Sequence, residues 1–237
     1  MLERDFGYKP PIPEELQRQY ETALHGVLRW KNGNWADSVY ETDWDHVTGM
    51  FFVLQDINKI CPTLSSDVNV PTIKHMIYLH DAGEILVGDL THNRNDYYDL
   101  YDRWKTREHA AFRILTKEIK DENIKNQSRQ LYKRYVTQNP TDKEALLTRL
   151  IDTDQGLRFG FANVFNGRGM KISSRQMQFN RSVELIRSPS IPLLQVVSPE
   201  TQIGLKSFLR DELERFFQYG YRRQAAPYIK NLDVLLT

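Results

Sequence analysis

Two imidazoles, an adjacent carboxylate and a distant aspartate stand at intervals that suit a divalent ion: His46, the doublet His80-Asp81, and the neighbouring pair Asp152 and Asp154. Ions that activate water are commonly held by imidazole nitrogens and carboxylate oxygens from several elements, with one coordination position left open. The chemistry of such a set is metal-assisted hydrolysis. Glu84 follows His80 by four positions, which on a helix puts it one turn along the same face, placed to act as a general base. Adjacent residues diverge by about 100° around a helix axis, so His80 and Asp81 reach a common ion only if it sits over the helix edge. Asp152 and Asp154 project from different sides of one helix, so only one of them should ligate.

Each piece alone has a plainer reading. A His-Asp dipeptide is ordinarily a surface histidine beside a solvated aspartate, and His46 could merely sit near the helix-start residues Asp43 and Asp45. The weight comes from three separated stretches that agree: His46 after Trp44-Asp45, the run HDAGEILVGDL at 80–90, and RLIDTDQGLR at 149–158.

The elements that must position these residues read as helices. Pro13 with Glu14 and Glu15 starts a first helix, and Leu16, Tyr20, Leu24 and Val27 carry it to Arg29 and Trp30. Residues 31–40, with an Asn-Gly pair and scattered polar groups, read as a loop. Thr42 or Asp43 caps a second helix whose apolar stripe is Trp44, Val47, Met50, Phe51, Leu54 and Ile57, with His46 beside it. Pro71 opens a third, packed through Ile73, Met76 and Ile77, on whose continuing face HDAGE falls. Helices are expected at about 96–120, 122–137 and 142–165. The Gly-rich break around 167–169 then precedes helices at 174–188 and 198–218, the latter capped by Ser198. Strand signals are nearly absent, so the fold class is all-α.

Composition narrows the setting. The 237 residues, 40% hydrophobic, suffice for one sizeable core. Lys and Arg number 32 against 31 Asp and Glu, so no global charge draws the chain to nucleic acid or to an anionic membrane. The basic run around 125–134 reads as a solvated helix face, not a strong nucleic-acid signal. Cys61 is the single cysteine, which excludes an intramolecular disulfide or a CxxC zinc site and fits a reducing, cytoplasmic setting. No stretch approaches the roughly 20 apolar residues of a membrane span, and the charged, proline-bearing N-terminus is unlike a signal peptide.

In the order His, then His-Asp, then a distant Asp on a later helix, the chain resembles the HD-domain metal-dependent phosphohydrolases. It most resembles their 5'-deoxynucleotidase branch, where Glu follows three residues after the Asp, then a Gly-Asp-Leu, and an Arg-Trp pair precedes the first His. Here those are Glu84, Gly88-Asp89-Leu90 and Arg29-Trp30. The resemblance covers about Arg29 to Arg158. It implies an HD-domain helical bundle, taken as 1–167; residues 168–237, which the resemblance does not explain, are expected from the break and the helices after it to form a C-terminal helical extension packed on the same domain. It implies one divalent ion (Mn, Co, Mg, Zn or Fe) on His46, His80, Asp81 and Asp152; the basic residue three before the ligand and the apolar residue just before it select Asp152 over Asp154. Arg29 would bind phosphate, Trp30 would line a nucleoside pocket, and Glu84 and Asp89 would position or activate water and substrate.

The substrate then expected is a nucleotide or another small phosphorylated molecule, foremost a deoxynucleoside 5'-monophosphate, handled by a homodimer away from membranes. Other readings are a triphosphohydrolase or phosphodiesterase, for which Arg94, Arg103, Lys105 and Arg107 could hold further phosphates, and a non-catalytic binding module using FFQYGYRR at 216–223. A diiron oxygenase would call on His75, His92 or His109 for a second metal, which their positions suit poorly.

Overall fold

The computed structural model describes residues 2–29, 41–88, 98–137, 139–164 and 172–232. As expected, the described residues are mainly helical, and their only strands form one antiparallel ribbon of two residues on each side. The chain falls into two compact units, one of Met1–Phe51 with Lys74–Thr137, the other of Phe52–Ile73 with Gln138–Thr237.

The first unit begins with α1 (Leu2–Phe6) and α2 (Glu14–Gly26). The short α1, too brief for periodicity to reveal, buries Leu2 and Phe6, stacks Phe6 on Phe51 at 5.1 Å, and has its last carbonyl capped by the Lys74 ammonium at 2.7 Å. The first long helix was expected to reach Arg29, but it stops at Gly26. Val27 turns extended, and Leu28–Arg29 form β1, paired antiparallel with β2 (Glu41–Thr42) in the register Leu28↔Thr42, Arg29↔Glu41.

From β2 the chain enters α3 (Asp43–Ile60) through a reciprocal cap. The Thr42 hydroxyl accepts from the Asp45 amide at 3.1 Å while the Asp45 carboxylate accepts from the Thr42 amide at 3.0 Å. Thr42 is therefore the cap. The apolar stripe read from the sequence is buried as expected, Trp44 through Ile57.

After α4 (Leu64–Asp67), α5 (Val70–Leu79) starts where the Asn69 side chain accepts from the Thr72 amide, and it ends one residue before His80. HDAGE therefore does not continue the helix. Residues 80–83 form a turn held by amide bonds from Ala82 to Leu79 and from Glu84 to Asp81, leading into α6 (Glu84–Val87). The first unit closes with α7 (Tyr98–Leu115), a 3-10 turn (Thr116–Glu118) and α8 (Glu122–Thr137), joined through Phe112 stacked on Tyr132 at 3.9 Å.

The second unit contains the latter part of α3, α4, and α9 (Lys143–Phe159), capped by Asp142 and followed by a π-helical turn (Gly160–Val164). Next come α10 (Ile172–Val196), α11 (Pro199–Gln218) and α12 (Arg222–Lys230). The sequence suggested that α10 ends before Pro189, but the helix runs through Pro189 and Pro192. Buried Leu193, Leu194 and Val197 beyond them hold the continuation in place, so packing overrides local preference. Ser198 caps α11 as expected, and its hydroxyl also donates to Asp67 at 2.6 Å. Cys61 is a core residue: its Sγ lies 3.6 Å from the Thr201 carbonyl, and a side chain at Gly204 would collide with it. Gly220, at φ +87°, ends α11 and turns Tyr221 inward against Phe161 and Phe179. One aromatic of the proposed binding tail is thus core. Among the described residues no helix is long and apolar enough to cross a membrane.

Candidate metal centre

The short ribbon explains how Arg29 meets the start of α3. The register sets Arg29 opposite Glu41, and the Asp43 amide donates to the Val27 carbonyl at 3.1 Å. Because the exposed Thr42-Asp45 cap serves the helix N-terminus, Glu41 and Asp43 are left to turn inward, where both are buried. One turn along α3 from Asp43, His46 is fully buried as well.

At the far end of α5 the local backbone fixes the second imidazole. His80 Nδ1 lies 2.8 Å from the carbonyl of Ile77, one of the helix-terminal carbonyls left without an intrahelical donor. A carbonyl can only accept, so the proton sits on Nδ1, and in the neutral ring Nε2 carries the lone pair. That nitrogen is 2.9 Å from Oδ2 of Asp81, and His46 Nε2 is 3.8 Å from the same oxygen. The two rings lie 5.2 Å apart, centroid to centroid.

A lone pair facing a carboxylate oxygen at 2.9 Å is repulsive unless a cation, whether a proton or a metal ion, stands between them. The donor atoms of His46, His80 and Asp81 all lie within 4.8 Å of one another, and so do those of Asp43, Asp81 and Glu84. Two imidazoles and a carboxylate suit a divalent transition ion, so the residues fit the group that the sequence implies.

Burial alone would raise the Asp81 carboxyl, but His80, the Arg29 guanidinium and His46 together outweigh it and hold it well below the ordinary carboxylate range. Asp81 is therefore ionised, the form in which a carboxylate pairs with a proton on His80 Nε2 or with a metal ion. Arg29 Nη1 donates to Asp81 Oδ2 at 2.6 Å and stands 3.5 Å from Asp43 Oδ1, while its Nε is 3.9 Å from Glu41 Oε2. The residue expected to bind phosphate is thus engaged with carboxylates of the site.

The turn that carries His80, Asp81 and Glu84 is backed by α7 and α8. A Cβ at Gly83 would lie 2.3 Å from the Glu108 carbonyl oxygen, so only glycine lets α7 approach this closely. The buried Glu108 carboxylate accepts from the Tyr132 hydroxyl at 3.0 Å and from the Lys105 ammonium at 2.5 Å. Tyr135 meets His80 edge to face at 5.7 Å between centroids.

Of the residues singled out from the sequence, the structure brings together Arg29, His46, His80, Asp81 and Glu84 in the first unit. Asp152 belongs to the second unit, half-buried on α9. Asp154, the other aspartate weighed as fourth ligand, is buried in a salt bridge with Arg158 at 2.7 Å. Trp30, Asp89, His92 and Arg94 lie outside the described residues. His75 is buried 3.4 Å from the Ser128 hydroxyl, and His109 is exposed with its ring against Tyr132. Sequence reasoning missed the inward roles of Glu41 and Asp43. The signal was there in outline, since Thr42 already supplies a cap and a second capping carboxylate is superfluous.

No protein-family model, curated protein or solved structure matches this chain.

Proposed function

We propose that the chain is a metal-dependent phosphohydrolase that removes phosphate from nucleotides, foremost deoxynucleoside 5'-monophosphates. The observation that carries this reading is the approach of His46 Nε2 and His80 Nε2 to one oxygen of an ionised Asp81. A divalent ion held by His46, His80 and Asp81, with Asp152 as the further ligand drawn from the sequence, would supply an acidified water and charge neutralisation at the phosphoryl group.

The chain's own residues perform the remaining work. Glu84, buried beside Asp81 and Asp43, accepts the proton of the attacking water. Arg29 offers a planar fork that matches phosphate oxygens. His80 holds its tautomer through Ile77, so its Nε2 stays directed at the site. Lys105, one of the cations that could serve a longer phosphate chain, is tied to Glu108, which favours a monophosphate over a triphosphate. A homodimer, drawn from the sequence resemblance, and a cytoplasmic setting, drawn from the cysteine usage, complete the proposal.

The test is phosphate release from nucleoside mono-, di- and triphosphates with Mn²⁺, Co²⁺ or Mg²⁺, beside Asp81→Ala. Monophosphatase activity that falls at least a thousandfold in the variant is expected. Release that is equal in both proteins, or absent with every metal and substrate, contradicts the proposal.

A further inference from the structure

Resting on the metal reading above, we propose that Glu108 is a positioning residue of the metal centre: with Tyr132 it braces Gly83 from behind and so sets Glu84, the base, against the ligands His80 and Asp81. These three residues leave the chain within five positions, and Gly83 is the link between the ligands and the base. The Asp81 carbonyl accepts from the Glu84 amide at 2.9 Å, closing the turn over Ala82 and Gly83. A displacement of Gly83 therefore moves Glu84 relative to Asp81.

What presses on Gly83 is Glu108 of α7. A Cβ at Gly83 would stand 2.3 Å from the Glu108 carbonyl oxygen and 2.6 Å from its Cγ, so both the backbone and the side chain of Glu108 lie flush on the turn. The place of that Cγ is fixed in turn by what holds the carboxylate. One oxygen accepts from the Tyr132 hydroxyl at 3.0 Å and the other from the Lys105 ammonium. Tyr132 is itself buried and stacked on Phe112, with ring centroids 3.9 Å apart. Burial first, then the charge of Glu108, push the Tyr132 hydroxyl far above its ordinary range, so the phenol stays protonated and keeps a donor for Glu108. Asp81 and Glu84 add to the same shift, which puts the brace within electrostatic reach of the site.

A carboxylate that only tied α7 to α8 would be satisfied by Tyr132 and Lys105 anywhere along the two helices. Here the tie falls on the one glycine of the turn, and α8 returns to the site three residues later, where Tyr135 meets His80 edge to face at 5.7 Å between centroids. The imidazole and the turn that leads to the base are thus backed by the same pair of helices. Displacing a reacting group by about 1 Å can cost roughly a hundredfold in rate, so the brace bears on turnover and not only on stability.

The test compares the wild-type chain with Glu108→Ala, Glu108→Gln, Tyr132→Phe and His80→Ala. Each is loaded with Co²⁺ and followed by the visible absorption of the bound ion, by kcat and KM for phosphate release from a deoxynucleoside 5'-monophosphate, and by thermal melting. Glu108→Ala should keep bound Co²⁺ but alter its absorption, with kcat down roughly a hundredfold and KM within about threefold. Glu108→Gln, which keeps the Cγ and an oxygen for Tyr132, should restore the wild-type absorption and bring kcat back to within about threefold. Tyr132→Phe should lower kcat about tenfold, and it decides the matter if the alanine variant does not fold. Variants that melt lower yet keep the wild-type absorption and kcat overturn the positioning role and leave Glu108 as a tie between α7 and α8. Phosphate release absent from the wild type as well refutes the hydrolase reading, with the spectra still deciding the brace. Equal absorption in His80→Ala and wild type, or none in either, removes the metal reading itself.

Discussion

Each unit of the molecule buries a cluster of charged side chains, and the two clusters are built on opposite principles. In the second unit, donors alternate with acceptors: Arg158 reaches Asp154, Asp56 and Glu212 at 2.6–2.8 Å, and Arg215 reaches Glu212 at 2.8 Å. Its guanidinium forks match carboxylates and tie α3, α9 and α11 together, so the cluster reads as structural. In the first unit, a single guanidinium stands among several acids. Two imidazole nitrogens approach one carboxylate oxygen, and four buried acids, Glu41, Asp43, Asp81 and Glu84, gather around Arg29 and that oxygen. A cluster of the first kind is complete in itself, whereas one of the second kind attracts a cation.

The contrast can be broken most forcefully in the second unit. Arg158→Ala leaves the buried Asp154 and Glu212 and the half-buried Asp56 without their central cation, and should cost about 3–5 kcal/mol in denaturant melts. A cost near zero would mean that the cluster does not hold α3, α9 and α11.

Next in size is an acid effect in the first unit. Burial pushes His75 down to about 4, so the folded chain keeps it neutral while the unfolded chain protonates it near 6.5. Its contribution is fully present above pH 6.5 and is lost as pH falls to about 4, on the order of 3 kcal/mol. His75→Phe should flatten this limb of the stability profile.

The second unit should respond with the opposite sign. Burial first, then the charge of Glu212, raise the Asp154 carboxyl well above its ordinary range, against Arg158. A group raised in this way stabilises the fold below its unfolded pKa and loses that contribution as pH rises through the folded value. Asp154→Asn should therefore flatten the profile on the neutral side, by less than the His75 effect. The smallest effect belongs to Thr42→Ala, which removes the cap of α3 and should cost about 1 kcal/mol.

Much of this arrangement was legible along the chain because it depends on local pattern. The stripe of α3 has helical period, α8 has the bounds its periodicity predicts, and Ser198 caps α11 by residue type. The turn at 80–83 was not legible because its cause is tertiary: Gly83 yields to the backbone of Glu108, twenty-five positions later. Arg29 was read as a helix-end residue because no periodicity signals a two-residue strand whose partner lies at Glu41. The burial of Glu41 and Asp43 was likewise hidden, since charged residues beside a helix start ordinarily face water. His46, His80 and Asp81 were found by residue type and order, but their meeting on one oxygen required coordinates.

Both imidazoles are proposed to ligate one ion. X-ray absorption at the metal edge of the Co²⁺-loaded protein tests it most directly. Backscattering from two imidazoles per cobalt is expected, falling to one in His46→Ala; a spectrum without imidazole, or one unchanged in His46→Ala, would rule out ligation by the pair.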